Sequence, residues 1–246
     1  MGRYRFVIEY LGSGFCGWQS QRGGGSVQQA LEDAFFKCMR IPIKIIGAGR
    51  TDAGVHAGGQ VAHFETNREL DIVKIQSSVN AITNKTLYIR RLEACRDDFH
   101  ARYDARSRLY HYTIALRPTA LYNPLVWFPR FPLDFNLLKG ELEAVKGEHD
   151  FDAFSVSRND GKPTNCVITR ADVWADEKRI VIKIAGNRFL HKMVRSLVGA
   201  CCDVARGKHQ PGLIQSVFDN SFKGEWTWAP PDGLCLKKVE YDDYAY

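Results

Sequence analysis

GAGRTDAGVHAGGQVAHF, Gly47–Phe64, carries one carboxylate, Asp52, in a loop unusually rich in glycine. Residues 43–48 before it and Gln60 to Phe64 after it read as short strands, so the stretch is a strand–loop–strand passage. Glycines at 47, 49 and 54 allow another chain or a ligand to approach the backbone closely. Arg50 stands two residues before Asp52, and in an extended segment both side chains share a face. A guanidinium nearby keeps a carboxylate ionised even where water is excluded. That is the state a nucleophilic or basic Asp requires. Two plainer roles stay open for Asp52, as a helix N-cap or as an ion-pair partner of Arg50. His56, four residues on, makes an acid–base or metal pair conceivable. The chain has no H-E-x-x-H, no D-x-D-x-D-G loop and no G-x-S-x-G elbow, and no G-K-[ST] follows the glycines. No metal site is expected.

Working outward, residues 4–10, YRFVIEY, alternate and are rich in β-formers. A glycine-rich turn region covers 11–25. Ser26-Val27-Gln28-Gln29 opens a helix with a capping-box pattern, and Val27, Leu31, Ala34, Phe35 and Cys38 fall on one face. Ile72, Ile75, Val79 and Ile82 mark a second helix, and residues 86–94 a strand. The second half echoes this order. A strand over 108–116 precedes a helix capped by Asp134, lined by Leu137, Leu138, Leu142 and Val145 and stopped at Gly147. Strands follow near 167–175 and 179–186. The strongest helix spans 189–206, a short helix lies near 211–218, and a last strand covers 233–240. The proline-rich segment 118–133 is the natural hinge. Helices covering one face of a sheet define an α+β class.

Composition narrows the function less. The chain has 246 residues, with 45% hydrophobic and 25% charged, which is the ordinary globular balance. A net charge of +6 permits a polyanionic partner without requiring one. The seven cysteines are odd in number and form no C-x-x-C pair. That argues against a disulfide framework or a zinc ribbon and for free, mostly buried thiols in a reducing cytoplasm. No apolar signal-peptide core or membrane-length apolar run is present.

Residues 99–112, FHARYDARSRLYHY, interleave Arg102, Arg106 and Arg108 with Tyr103, Tyr110 and Tyr112. Such a pattern grips phosphates and stacks on exposed bases, or it is an amphipathic edge strand. Arg188, Lys192 and Arg195 sit at i, i+4 and i+7 on the 189–206 helix, either as a solvated face or as a phosphate-contacting stripe.

GRTDAGVHA, Gly49–Ala57, resembles the catalytic signature of the TruA-type tRNA pseudouridine synthases. The opening IEYLGSGFCGWQ at 8–19 resembles the family's first strand and loop. SVQQALE at 26–32, GQVAHFET at 59–66, DDFHARYDA at 97–105, GEHDFDAF at 147–154, NRFLHKMVRSLVG at 187–199 and DGLCLKKVEY at 232–241 follow in the family's order. The resemblance implies an isomerase that converts uridines of the tRNA anticodon stem-loop, at positions 38, 39 and 40, to pseudouridine. Nothing is gained or lost in that reaction, so no cofactor is expected. By resemblance Asp52 is the catalytic carboxylate. Attack on C6, attack on C1′ and removal of a C2′ proton all stay open for it. Arg50 pairs with Asp52 or holds the extruded strand. Tyr110 stacks on the target base and serves a proton transfer. Arg195 pairs with the catalytic Asp, and Leu234 lines the pocket. Arg188, Lys192 and Arg102 are further candidates for holding the substrate.

The expected fold is two pseudo-symmetric halves, 1–105 and 106–246. Each is an RRM/ferredoxin-like β-α-β unit. They share a mixed, mainly antiparallel sheet with helices on one face, and an active-site cleft lies between them. A homodimer in the cytoplasm, with tRNA as partner and no membrane or metal, completes the expectation. The alternatives are a non-catalytic RNA-binding or tRNA-folding protein on the same scaffold and an acid- or metal-dependent hydrolase using Asp52 and His56. Three positions depart from the family pattern: Leu11 where Asp is usual, the run 80–86 in place of a Leu-Pro ending, and 163–168, which lacks an arginine.

Overall fold

The computed structural model describes residues 2–21, 23–83, 86–156, 161 and 163–242. Two compact units divide them, Met1–Arg106 with Cys235–Tyr246, and Ser107–Leu234. The proline-rich segment 118–133 lies inside the second.

The first unit runs β1 (Gly2–Tyr10), α1 (Val27–Met39), β2 (Ile46–Gly47), β3 (His56–Thr66), α2 (Ile72–Ile82) and β4 (Leu87–Cys95). Strand β1 lies antiparallel between β3 and β4. The far edge of β3 takes β2 antiparallel at Ala62 and His63, and the last strand, β9 (Leu234–Glu240), parallel at His56 and Ala57. Strand–helix–strand–strand–helix–strand with β1 in the middle is the ferredoxin-like order. Its core is aromatic. Phe35 of α1 packs 4.9 Å from Phe64 and 5.7 Å from Phe6, and all three are buried. Each such ring contributes roughly 1.5–3 kcal/mol relative to exposure.

Helix α1 starts where its cap residue predicts, with Ser26 Oγ accepting the Gln29 N–H at 3.1 Å. The reciprocal half of a capping box is replaced, because the Gln29 side chain accepts from Ser20 and donates to Asp33. Met39, rather than Cys38, completes the buried face. Helix α2 differs more. Of Ile72, Ile75, Val79 and Ile82, only Val79 is buried. The reason is that α2 borders the free edge of β4. Asn80 bonds both the N–H (2.7 Å) and the carbonyl (2.9 Å) of Ile89, and Gln76 accepts the Leu92 N–H. A helix that satisfies an exposed strand edge needs polar side chains there. The 80–86 departure falls partly on Asn84 and Lys85, outside the described residues.

The second unit runs β5 (Ser107–Ala115), α3 (Phe135–Ala144), β6 (Gly147–Asp150), β7 (Asn165–Ala175), β8 (Arg179–Gly186), α4 (Met193–Ala205) and α5 (Leu213–Phe218). Its strands lie in the order β5-β8-β7-β6, all antiparallel. Asp134 caps α3 through the N–H groups of Asn136 and Leu137. Buried Glu141 of α3 accepts from the N–H of Gly212 and Ile214, which fixes the start of α5. Helix α4 is buried at every position from Met193 to Ala205 except Arg195. It begins later than the 189–206 periodicity suggests, because Lys192 adopts a left-handed φ of 62° and breaks the helix at its own position. Arg188 and Lys192 therefore precede α4, and no helical Arg188–Lys192–Arg195 stripe exists. Gly207, at φ 78°, lies just past its C-terminus.

Of the seven free thiols, Cys166, Cys201 and Cys202 are buried, while Cys16 is exposed.

Candidate active site

Asp52 lies between β2 and β3, half-buried, with Arg50 exposed beside it. The loop that carries it is clamped, and the opening motif 8–19 supplies most of the clamp. Tyr10 Oη hydrogen-bonds Thr51 Oγ1 at 2.8 Å. The Trp18 N–H donates to the Thr51 carbonyl at 3.0 Å, and the Gly54 N–H donates to the Phe15 carbonyl. Gln60, buried on β3, donates its amide to the Gly49 carbonyl at 2.8 Å. Within the loop the Val55 N–H returns to the Asp52 carbonyl.

The glycines serve this packing. A Cβ on Gly47 would meet the Trp18 ring at 2.5 Å, and one on Gly12 would meet the Val55 carbonyl oxygen at 2.1 Å. Gly59 plays the same part further along β3, where the Lys237 carbonyl oxygen would lie 2.4 Å from a Cβ. Gly49 has open space around it. Close approach is therefore used chiefly by the protein's own backbone and indole. His56 is buried, and its Nδ1 accepts the Gly12 N–H at 3.0 Å, so that nitrogen is occupied in shaping the loop.

The stretch 99–112 does not form one basic–aromatic surface. Phe99 and Ala101 are buried, and Ala101 donates to His63 Nδ1 and accepts from Tyr241. Arg102 and Tyr103 are exposed, and Arg106 pairs with Asp242 at 2.8 Å. Arg108 is buried and donates to the Asn187 carbonyl. Tyr110 is buried on β5 with its ring edge-on to Phe189 at 5.1 Å. Tyr112 is buried and donates to the Pro230 carbonyl, and burial pushes its hydroxyl pKa far up.

Arg195 sits in the first turn of α4, three residues after Lys192. Its Nε donates to the Ala229 carbonyl at 2.8 Å, and the Ala229 N–H donates back to the Arg195 carbonyl at 3.1 Å. Two turns along α4, buried Asp203 accepts the Thr227 N–H at 2.7 Å and Lys208 Nζ at 2.8 Å, and pairs with Arg206. Burial raises its pKa, but these hydrogen bonds and the Arg206 charge outweigh it and hold the carboxyl below the usual carboxylate range. Trp226 Nε1 donates to buried Ser196 at 2.9 Å. A Cβ on Gly199 would lie 1.8 Å from the Thr227 carbonyl oxygen. The segment 226–229 thus lies fastened along α4. Sequence reading found Arg195 and missed this support. Its one signal was a lone Asp inside the apolar run VGACCDVA. Leu234 is buried at the start of β9, and Arg188 is exposed. Among the described residues no three His, Cys, Asp or Glu gather as metal ligands, and no helix is long and apolar enough to cross a membrane.

The family model for tRNA pseudouridine synthase matches residues 6–104 and 142–242. The chain belongs to the tRNA pseudouridine synthase family. It is 36% identical over 244 residues to tRNA pseudouridine synthase A 2 of Clostridium perfringens, covering 98% of this chain and all of that one. It is 36% identical over 247 residues to tRNA pseudouridine synthase A of Dechloromonas aromatica, covering 98% and 94%. A Chlorobium luteolum relative of that name is 35% identical over 248 residues, covering 100% and 98%. The synthase is an isomerase that turns uridine of tRNA into pseudouridine. A non-catalytic role on the same scaffold is not favoured by these relatives. The matched span of the synthase includes Arg50, Asp52, Arg102, Arg188, Lys192, Arg195 and Leu234, while Tyr110 falls between its two parts.

Proposed function

We propose that this synthase acts on uridines 38, 39 and 40 of the anticodon arm, with Asp52 as its catalytic carboxylate. The observation that carries the reading is the Asp52 loop. A single acid is held on a backbone fastened at Gly49, Thr51, Gly54 and Val55. Preorganisation of that kind removes the cost of positioning a reacting group during the reaction. The rearrangement breaks N1–C1′ and forms C5–C1′. The C5 proton leaves to solvent and N1 gains one, so atoms and electrons balance without a cofactor. Asp52 serves as the nucleophile or base of this sequence.

Arg195 is the positive partner of Asp52, and Arg50 pairs with Asp52 or holds the extruded strand. Tyr110 stacks on the target base and relays a proton. Leu234 walls the pocket, while Arg188, Lys192 and Arg102 take phosphates. The reacting uridine must leave the helical stack, at a cost of a few kcal/mol. Stacking and phosphate contacts offset that cost, and a net charge of +6 suits them. The working form is a cytoplasmic homodimer, which a light-scattering mass tests directly.

Tritium release from 5-tritiated uridine in undermodified tRNA tests the chemistry, because only the new C5–C1′ bond expels the label. Wild type releases tritium with chelator present and Asp52→Ala releases none while still binding tRNA. Release by the Asp52→Ala chain would remove Asp52 from the mechanism. Transcripts with a single labelled uridine at 38, 39 or 40 test the positions.

A further inference from the structure

Segment 226–229 is fastened to α4 at three of its four residues. Trp226 is tied by its indole N–H to Ser196, Thr227 by its backbone N–H to Asp203, and Ala229 by two hydrogen bonds to Arg195. Ser196 and Asp203 are both buried, so these ties are anchored in the core. The remaining residue, Trp228, is 37% exposed, and Lys192 Nζ sits 5.8 Å from its ring centroid. Lys192 is itself held in a left-handed conformation at the head of α4. A large aromatic face is therefore presented to solvent on an immobilised backbone, with an ammonium at its ring and Arg195 one residue along the fastening. Core packing does not require an indole that is more than a third exposed. A rigid aromatic paired with a cation is the chemistry that takes an unstacked nucleotide, with the base on the ring and the phosphate on the charge. Rigidity matters because little further ordering is needed on binding.

We propose that Trp228 and Lys192 form a stacking-and-phosphate grip for an unpaired nucleotide of the tRNA substrate, beside Arg195. The proposal rests on the tRNA reading above and adds a contact outside the reacting residues. The grip acts on substrate affinity and leaves the chemical step alone.

The test uses the full chain with Trp228→Ala, Trp228→Leu, Trp228→Phe and Lys192→Ala, an undermodified tRNA transcript, filter binding across a salt series and tritium-release kinetics. A stacked base lost to Ala or Leu weakens tRNA binding and raises KM about 5- to 100-fold, with kcat near wild type. Phe keeps most of the affinity because it keeps a ring face. Lys192→Ala weakens binding less and flattens the salt dependence by about one phosphate contact. Leu covers the case in which Ala perturbs the fold, since it fills the site without a stacking face. Leu binding as tightly as Phe would overturn the proposal, as would a Trp228→Ala chain whose Kd and KM stay within twofold of wild type. Failure of the catalytic reading shows separately, as tritium release by Asp52→Ala.

Discussion

The two regions that bear the proposed chemistry are built in opposite ways. Asp52 sits on a loop immobilised from both directions along the chain: Tyr10, Phe15 and Trp18 reach it from the end of β1 and the turn after it, more than thirty residues earlier, and Gln60 from β3 just beyond. Arg195 sits on a fully formed helix, and its support comes from a segment more than thirty residues away, fastened by buried Asp203 and Ser196. The first arrangement depends on missing side chains and backbone hydrogen bonds. The second depends on a buried carboxylate and its cations. Damage to the first should strike the reaction immediately, whereas damage to the second should pass through stability.

Several measurements break or sharpen that contrast, beginning with the largest expected effect. Asp52→Ala removes the proposed reacting group, and tritium release is expected to fall to background with tRNA binding retained. Arg195→Ala removes the proposed charge-assisted partner, worth about 1.5–3 kcal/mol, and is expected to lower kcat roughly 10- to 150-fold while leaving tRNA affinity nearly intact. Equal losses in kcat and affinity would place Arg195 in binding instead. Gly12→Ala and Gly199→Ala probe the two supports directly. Each pushes a Cβ into a backbone carbonyl and should cost about 1–3 kcal/mol or more in thermal unfolding. Gly12→Ala should also cut kcat beyond its effect on stability, because the displaced carbonyl belongs to Val55 in the Asp52 loop. If both variants lose activity only in proportion to stability, the contrast fails.

The smallest effect is in acid. Burial, then the charges of His100 and Arg3, push His63 down to about 4. A folded His with a lowered pKa stays neutral while the unfolded chain takes up a proton. The first unit therefore loses stability as pH falls from about 6.5 towards 4. Asp203 has the opposite chemistry and a lower window. Its folded pKa is depressed, so its contribution is complete above about 3.9 and is lost as pH falls through the folded value. Melting curves of His63→Gln and Asp203→Asn against wild type separate the two. The first difference should change between pH 6.5 and 4, and the second only below about pH 4.

What the sequence made legible follows the same division. Alternation in YRFVIEY, the Ser26 and Asp134 caps and the glycine after α4 set most elements, because each signal is local. The face of α2 misled, because its Ile residues suggest a core helix while Asn80 and Gln76 are the residues that hold it, against the edge of β4. Apolar periodicity suggests a helix over 189–206, because it continues through Phe189, but the left-handed Lys192 interrupts the backbone. Asp52 stood out through its glycine-rich setting and its motif. Asp203 did not, because a buried carboxylate is recognisable only once Thr227 and Lys208 are seen to reach it.

Strand β9 has a consequence for how the molecule is made. It pairs with β3 at His56 and Ala57, and the Lys237 carbonyl packs where Gly59 has no side chain. The first unit thus recruits its closing strand from beyond the entire second unit, Ser107–Leu234. During synthesis that edge of β3 waits while the intervening chain is made, on the order of ten seconds at ordinary elongation rates. The loop that presents Asp52 ends where β3 begins, so the final fixing of the loop belongs to the last stage of the polypeptide's birth. A nascent chain arrested before Cys235 would carry the whole Asp52 loop and lack the strand that seals the edge beside it.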